Sequence, residues 1–169
     1  MSVSVTASLL KERVFSQVSS AIREAEFRSH KLVLVVLADE VRLQVEQELM
    51  KDDIELLNLS KHLSNRLVSL SLKERQKVLD KEVSNIAAAC DSSTWLTKLD
   101  LLCEPSLNCD PIWLLKWLAK SQLIVAIWPG VIDGPSLTYS VPGREDYKTY
   151  PLKELKDIQV IEACDGEKE

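Results

Sequence analysis

The stretch Lys31-Leu-Val-Leu-Val-Val-Leu37, followed by Ala38-Asp39-Glu40-Val41-Arg42, decides how this chain folds. Residues 32–37 are apolar without alternation and rich in β-branched side chains, the pattern of a strand buried on both faces of a parallel sheet. Upstream, Leu9, Leu10, Val14, Val18, Ala21, Ile22 and Ala25 recur at three- and four-residue steps, which predicts an amphipathic helix over Ser8 to Arg28. Downstream, Asp39 is a candidate cap for a helix from Glu40 to about Met50, and Ile54 to Leu59 reads as a second strand.

The same alternation of helices and strands continues. Ser60 is a candidate cap for a short helix through about Ser69, and Ser71 with Glu74 forms a capping box for a long helix reaching Cys90. Thr94 to Leu102 reads as the third strand, with a helix as the alternative. Asp110-Pro111 opens a helix with proline at its first position, running to Lys120, and Gln122 to Trp128 is the fourth strand. After Pro129-Gly130 the turn formers Gly134, Pro135, Pro142 and Gly143 punctuate short β-prone pieces, of which Leu137 to Val141 is the clearer, and predict a hairpin or meander. A last amphipathic or extended piece covers Leu152 to Ile161. Helices that alternate with strands imply right-handed crossovers and a mostly parallel sheet covered on both faces, an α/β three-layer fold. The expected organisation is one domain over residues 1–162 and a charged, disordered tail over 163–169.

Composition agrees with a globular domain: 46% of the 169 residues are hydrophobic and 28% charged. The net charge of −5 argues against a general affinity for nucleic acid. Met1 to Lys11 lacks the basic and apolar regions of a secretory signal, and the longest apolar run, Leu32 to Ala38, is far short of the roughly 20 residues that span a bilayer. A cytoplasmic protein with no membrane contact is expected. Cys90, Cys103, Cys109 and Cys164 have neither a Cys-x-x-Cys pair nor a histidine at ligand spacing, which predicts free thiols and no metal site.

The turn after the first strand of an open parallel sheet is where phosphate groups bind, because backbone N–H groups converge there. A phosphate loop needs glycines, a lysine and a Ser or Thr. Ala38 to Arg42 supplies none of these and adds two carboxylates, and no glycine occurs before Gly130. Nucleotide binding is therefore not expected, and no cofactor is. Asp100 is the one candidate for a metal-holding carboxylate near the third strand, but Thr97 and Lys98 interrupt the apolar run before it. His30 and His62 have no nucleophile motif beside them. Trp113 and Trp117, four apart with Lys116 and Lys120, read either as a core stripe or as a partner-binding anchor.

Three stretches carry a family resemblance. They are Leu56-Leu-Asn-Leu-Ser60 with the following Leu67 to Leu72; Glu104-Pro-Ser-Leu107 leading to Asp110-Pro111; and Ile124 to Trp128 with Gly134-Pro-Ser-Leu-Thr-Tyr139 and Pro142-Gly-Arg-Glu-Asp-Tyr147. Together they resemble the small P-loop proteins of type 3 BREX bacteriophage-exclusion systems (the BrxF family), from about Val18 to Tyr150. The resemblance implies a P-loop-NTPase-like sheet with a C-terminal β-hairpin and membership of an antiviral defence system. Its ATPase, methyltransferase or helicase components would be the partners, with nucleic acid met only indirectly and a homo-oligomer as a further form. The departure from the family falls on its defining loop, at Ala38 to Arg42, and its metal-binding carboxylate falls near Thr97. The expectation is thus a non-catalytic pseudo-NTPase acting through protein contacts, with Trp113, Trp117, Tyr139, Arg144 and Tyr147 as partner-binding candidates. The rivals are an ATP switch completed by a partner subunit, with Arg42 or Arg144 at the shared site, and a DNA-binding accessory using Lys116, Lys120, Arg144 and Lys148.

Overall fold

A computed structural model describes residues 3–52, 54–91 and 93–163. In chain order they form α1 (Val3–Ala25), β1 (Leu32–Leu37), α2 (Asp39–Leu49), β2 (Glu55–Asn58), α3 (Leu59–Leu67), α4 (Leu72–Ala88), β3 (Thr94–Thr97), α5 (Pro111–Leu118), β4 (Ile124–Trp128), β5 (Val131–Asp133), β6 (Ser136–Tyr139), β7 (Lys148–Pro151) and β8 (Gln159–Ala163). The domain is α/β. One sheet has the order β2-β3-β4-β1-β8 with every pair parallel, and a second, antiparallel sheet has the order β5-β6-β7.

β1 explains the layering. All six of its residues are buried, and successive side chains of a strand point to opposite faces. Leu32, Leu34 and Val36 join a cluster with α3, α4 and α5, while Val33, Val35 and Leu37 join α1 and α2. β4 divides likewise, Ile124, Ala126 and Trp128 on the first side and Val125 and Ile127 on the second. Each face of the sheet therefore has its own helical layer, as an unalternating apolar run demands.

Several boundaries differ from the sequence expectation, each for a local reason. The third strand ends at Thr97 rather than Leu102, because Lys98 turns into the left-handed region (φ 55°) and the chain continues as a 3-10 turn over Leu99–Cys103, burying Leu99, Leu102 and Cys103. Asn58, not Ser60, caps α3 by accepting from Lys61 N. Ser60 Oγ instead donates to Lys98 O at 2.5 Å and accepts from Leu101 N at 3.1 Å, which holds that 3-10 turn against α3. Asp39 makes no cap: Ala38 occupies that position without a side-chain bond, and Asp39 is the first helical residue. Ser71 caps α4 by accepting from Glu74 N, though the Glu74 carboxylate takes the Ser71 hydroxyl rather than its backbone N–H, and the Asp110-Pro111 helix start occurs as expected. The C-terminal β region is a three-stranded meander, and the piece expected only as amphipathic or extended supplies β8, the edge strand beside β1. Ala163 belongs to that strand, and the rest of the expected tail, residues 164–169, lies outside the described residues. No helix among the described residues is long and apolar enough to cross a membrane.

Candidate functional site

The crevice at the carboxyl end of β1 lies where the chain leaves the sheet for α2, and the Arg42 guanidinium is held beside it. Its guanidinium donates through Nη2 to Leu37 O at 3.0 Å and to Gly130 O at 2.6 Å, and through Nη1 to Asp39 Oδ1 at 2.7 Å. The Arg42 side chain is 16% exposed. A phosphate cradle points N–H groups inward; here two carbonyl oxygens and a carboxylate point inward, and the cation they hold is the protein's own. Asp39 and Glu40 in the first turn of α2 answer the positive end of the helix dipole with carboxylates. The space left beside them, about 370 Å³, is lined by Val36 to Glu40, Val131, Ile132, Glu162 and Ala163.

The meander closes over this crevice. Trp128 Nε1, fully buried, donates to Thr138 O at 2.8 Å. A Cβ at Gly130 would sit 1.8 Å from that same Thr138 oxygen, so only glycine lets the β4–β5 turn approach β6 this closely. Gly130 O thereby stays in place to receive Arg42.

At the end of β3, the position where the resemblance puts a metal-holding carboxylate, Thr97 Oγ1 donates to Glu46 Oε1 at 2.5 Å and Lys98 Nζ lies 3.3 Å from Glu46 Oε2. Glu46 comes from α2, is 4% exposed and is thus satisfied inside the protein. It escaped the sequence reading because its only signal is its place next to Val45 on the buried stripe of α2. Asp100 accepts from Tyr139 Oη at 3.3 Å. Among the described residues no three His, Cys, Asp or Glu side chains converge as a metal site. Burial pushes the thiols of Cys103 and Cys109 up to about 12, so both are poor nucleophiles at neutral pH. His30 Nδ1 lies 3.2 Å from Asp157 Oδ2, and Lys116 Nζ lies 3.0 Å from the same oxygen.

The five partner-binding candidates fare differently. Trp113 and Trp117 are 56% and 40% exposed, whereas Trp95 and Trp128 are 4% and 0%. They form no core stripe: the core side of α5 is Ile112, Leu114, Leu115 and Leu118. The two indoles lie parallel, 2° between planes and 6.3 Å between centroids. Tyr139 is half-buried, and burial, with Asp100 next, pushes its phenol above the usual range. Arg144 is exposed and pairs with Asp146 (3.2 Å), whose carboxylate also accepts from Ser140 Oγ at 2.7 Å. Tyr147 is half-buried at the base of that turn, its N–H on Arg144 O. The structure therefore offers α5 as an open aromatic face and the β6–β7 turn as an internally bonded loop. Of the lysines considered for DNA, Lys116 is held by Asp157.

No protein-family model, curated protein or solved structure matches this chain.

Proposed function

We propose that this chain is a non-catalytic subunit of pseudo-NTPase type that works by binding other proteins, and that it serves in a BREX-like antiphage defence system. The observation that carries the non-catalytic reading is the Arg42 guanidinium in the turn after β1, bonded to Leu37 O, Gly130 O and Asp39. A triphosphate would have to displace these bonds and then meet carbonyls and carboxylates, all of which repel it. The P-loop-like assignment of the sheet belongs to the same proposal. Its support is the topology: the connection leaving β1 goes to one edge of the sheet and the connection leaving β4 goes to the other, which opens a crevice at the carboxyl ends of these inner strands. The protein-binding reading is supported by Trp113 and Trp117, because large exposed aromatic side chains are the commonest hot spots of interfaces.

Titration with ATP and Mg²⁺ by calorimetry tests the first part: no heat of binding is expected, and micromolar affinity overturns it. For the second part, affinity purification of the full chain from its native cell should co-isolate further defence proteins. Loss of the gene should also raise phage plating efficiency. Unchanged plating and no such partner would end the defence assignment.

A further inference from the structure

The outward surface of α4 and α5 carries a pattern that core packing does not explain. The two helices lie side by side and run the same way: Gln76 Nε2 of α4 donates to Ser106 O just before α5 (2.7 Å), and Gln122 Nε2 just after α5 donates to Ala87 O near the end of α4 (2.9 Å). The crest of α5 bears Trp113 and Trp117. On α4, Lys73, Lys77 and Lys81 recur every four residues and are exposed. None of these three, nor Lys120 one turn beyond Trp117, has an ion-pair partner among the described residues. Glu74 and Asp80 are exposed on α4 as well, but neither is ion-paired with these lysines, so the row keeps its charge available on a chain of net charge −5.

The two rows share one repeat. Four residues of α-helix advance about 6 Å, which is the spacing of the lysines, and the indole centroids are 6.3 Å apart. A third helix has the same repeat along each of its own i, i+4 rows, so it can match both at once, apolar side chains on the tryptophans and carboxylates on the lysines. A nucleic-acid strand carries a charge at every nucleotide and could not avoid Asp80, whose carboxylate faces the start of α5 from α4. A helix can place its carboxylates opposite the lysines alone.

We propose that the α4–α5 surface docks an acidic amphipathic helix of a partner protein, its apolar row on Trp113 and Trp117 and its carboxylate row on Lys73, Lys77 and Lys81. The proposal rests on the reading that the chain acts by binding proteins, and it names the chemistry of the partner.

The test uses the full chain and three labelled probes: a helical peptide of about three heptads with Leu and Glu, the same peptide with Lys for Glu, and an oligothymidylate. Anisotropy gives affinity. Tryptophan emission reports the site, since Trp113 and Trp117 are the exposed pair of the four tryptophans. The acidic peptide should bind at least about tenfold more tightly than its basic counterpart, shift the emission to the blue and weaken as salt rises. W113A/W117A and K73E/K77E/K81E, both folded by circular dichroism, should each lose about tenfold or more in affinity. Equal binding of the two peptides overturns the charge assignment while leaving the tryptophan anchor. Unchanged affinity in W113A/W117A sinks the anchor itself. No binding of the acidic peptide, or preference for the oligothymidylate, overturns the proposal. Affinity for ATP would defeat the non-catalytic reading without moving any of these readouts.

Discussion

Replacing Arg42 by alanine should separate its structural role from its blocking role. The side chain donates to two backbone carbonyls and to Asp39. Asp39 is 69% exposed, so that pair contributes about 0–1 kcal/mol. Hydrogen bonds from a charged group contribute about 1.5–3 kcal/mol each, but the cavity beside Leu37 admits water to the abandoned carbonyls and moves the pair of bonds toward the low end. Arg42→Ala should then cost about 3–4 kcal/mol in total. With a urea m-value of about 2 kcal/mol/M, the unfolding midpoint falls by about 1.5–2 M. Arg42→Lys, which keeps the charge but not the fork, should fall between. A loss under about 0.5 kcal/mol would mean that the guanidinium does not pin the β4–β5 turn, and the plug reading would fail. The variant should also still ignore ATP, because removing the cation creates no glycine loop of inward N–H groups.

Other variants read other parts of the structure. Gly130→Ala should cost about 3 kcal/mol or more in urea unfolding, since its Cβ meets the Thr138 oxygen at 1.8 Å, whereas Gly134→Ala, with open space but φ +56°, should cost only about 1–2 kcal/mol. W113A/W117A should leave stability within about 1 kcal/mol, because neither indole belongs to the core; a larger loss in urea unfolding would return them to a packing role. Burial raises the Asp157 carboxyl, yet the Lys116 ammonium, a backbone N–H and, least, His30 outweigh it together and hold it below the usual carboxylate range. A depressed folded value stabilises at neutral pH and is lost as pH falls through it. The stability gap between the wild type and Asp157→Asn should therefore close on acidification below about pH 4, and a gap that persists would show that the carboxylate charge is not what matters. Cys103, fully buried with its thiol pushed up to about 12, should resist disulfide reagents at neutral pH until the protein unfolds; its rapid labelling in peptide maps would contradict that burial.

Where burial on two faces dictates the residues, sequence and structure agree: Leu32 to Leu37 and Ile124 to Trp128 can be little else than inner strands. Where a single backbone angle decides, they part. Nothing in Thr94 to Leu102 announces that Lys98 turns left-handed, because lysine has no preference for that region, and the strand is cut short there. β8 was obscured because an edge strand is buried on few positions; Gln159, Val160 and Glu162 are not, and the apolar run that marks an inner strand is absent. At the candidate site the missing glycines were legible. The replacement was not, since Arg42 reaches Gly130 across 88 residues of chain. The exposure of Trp113 and Trp117 was likewise undecidable from spacing, as a pair at i, i+4 marks one helix face without saying which face is inward.

A nucleotide site is ordinarily a place where backbone N–H groups wait unsatisfied for a ligand, and such a site contributes little to stability until it is filled. In this chain the same position is closed on itself: Arg42 satisfies Leu37 O and Gly130 O, Asp39 answers Arg42, and Glu46 takes up both Thr97 and Lys98. The groups at the ends of β1 and β3 thus stabilise the apo protein directly. It follows that folding should be uncoupled from nucleotide, with no rise in melting temperature when ATP and Mg²⁺ are added at millimolar concentration. The exposed groups left over lie on α4 and α5, where two indoles and a row of lysines without an ion-pair partner among the described residues face solvent.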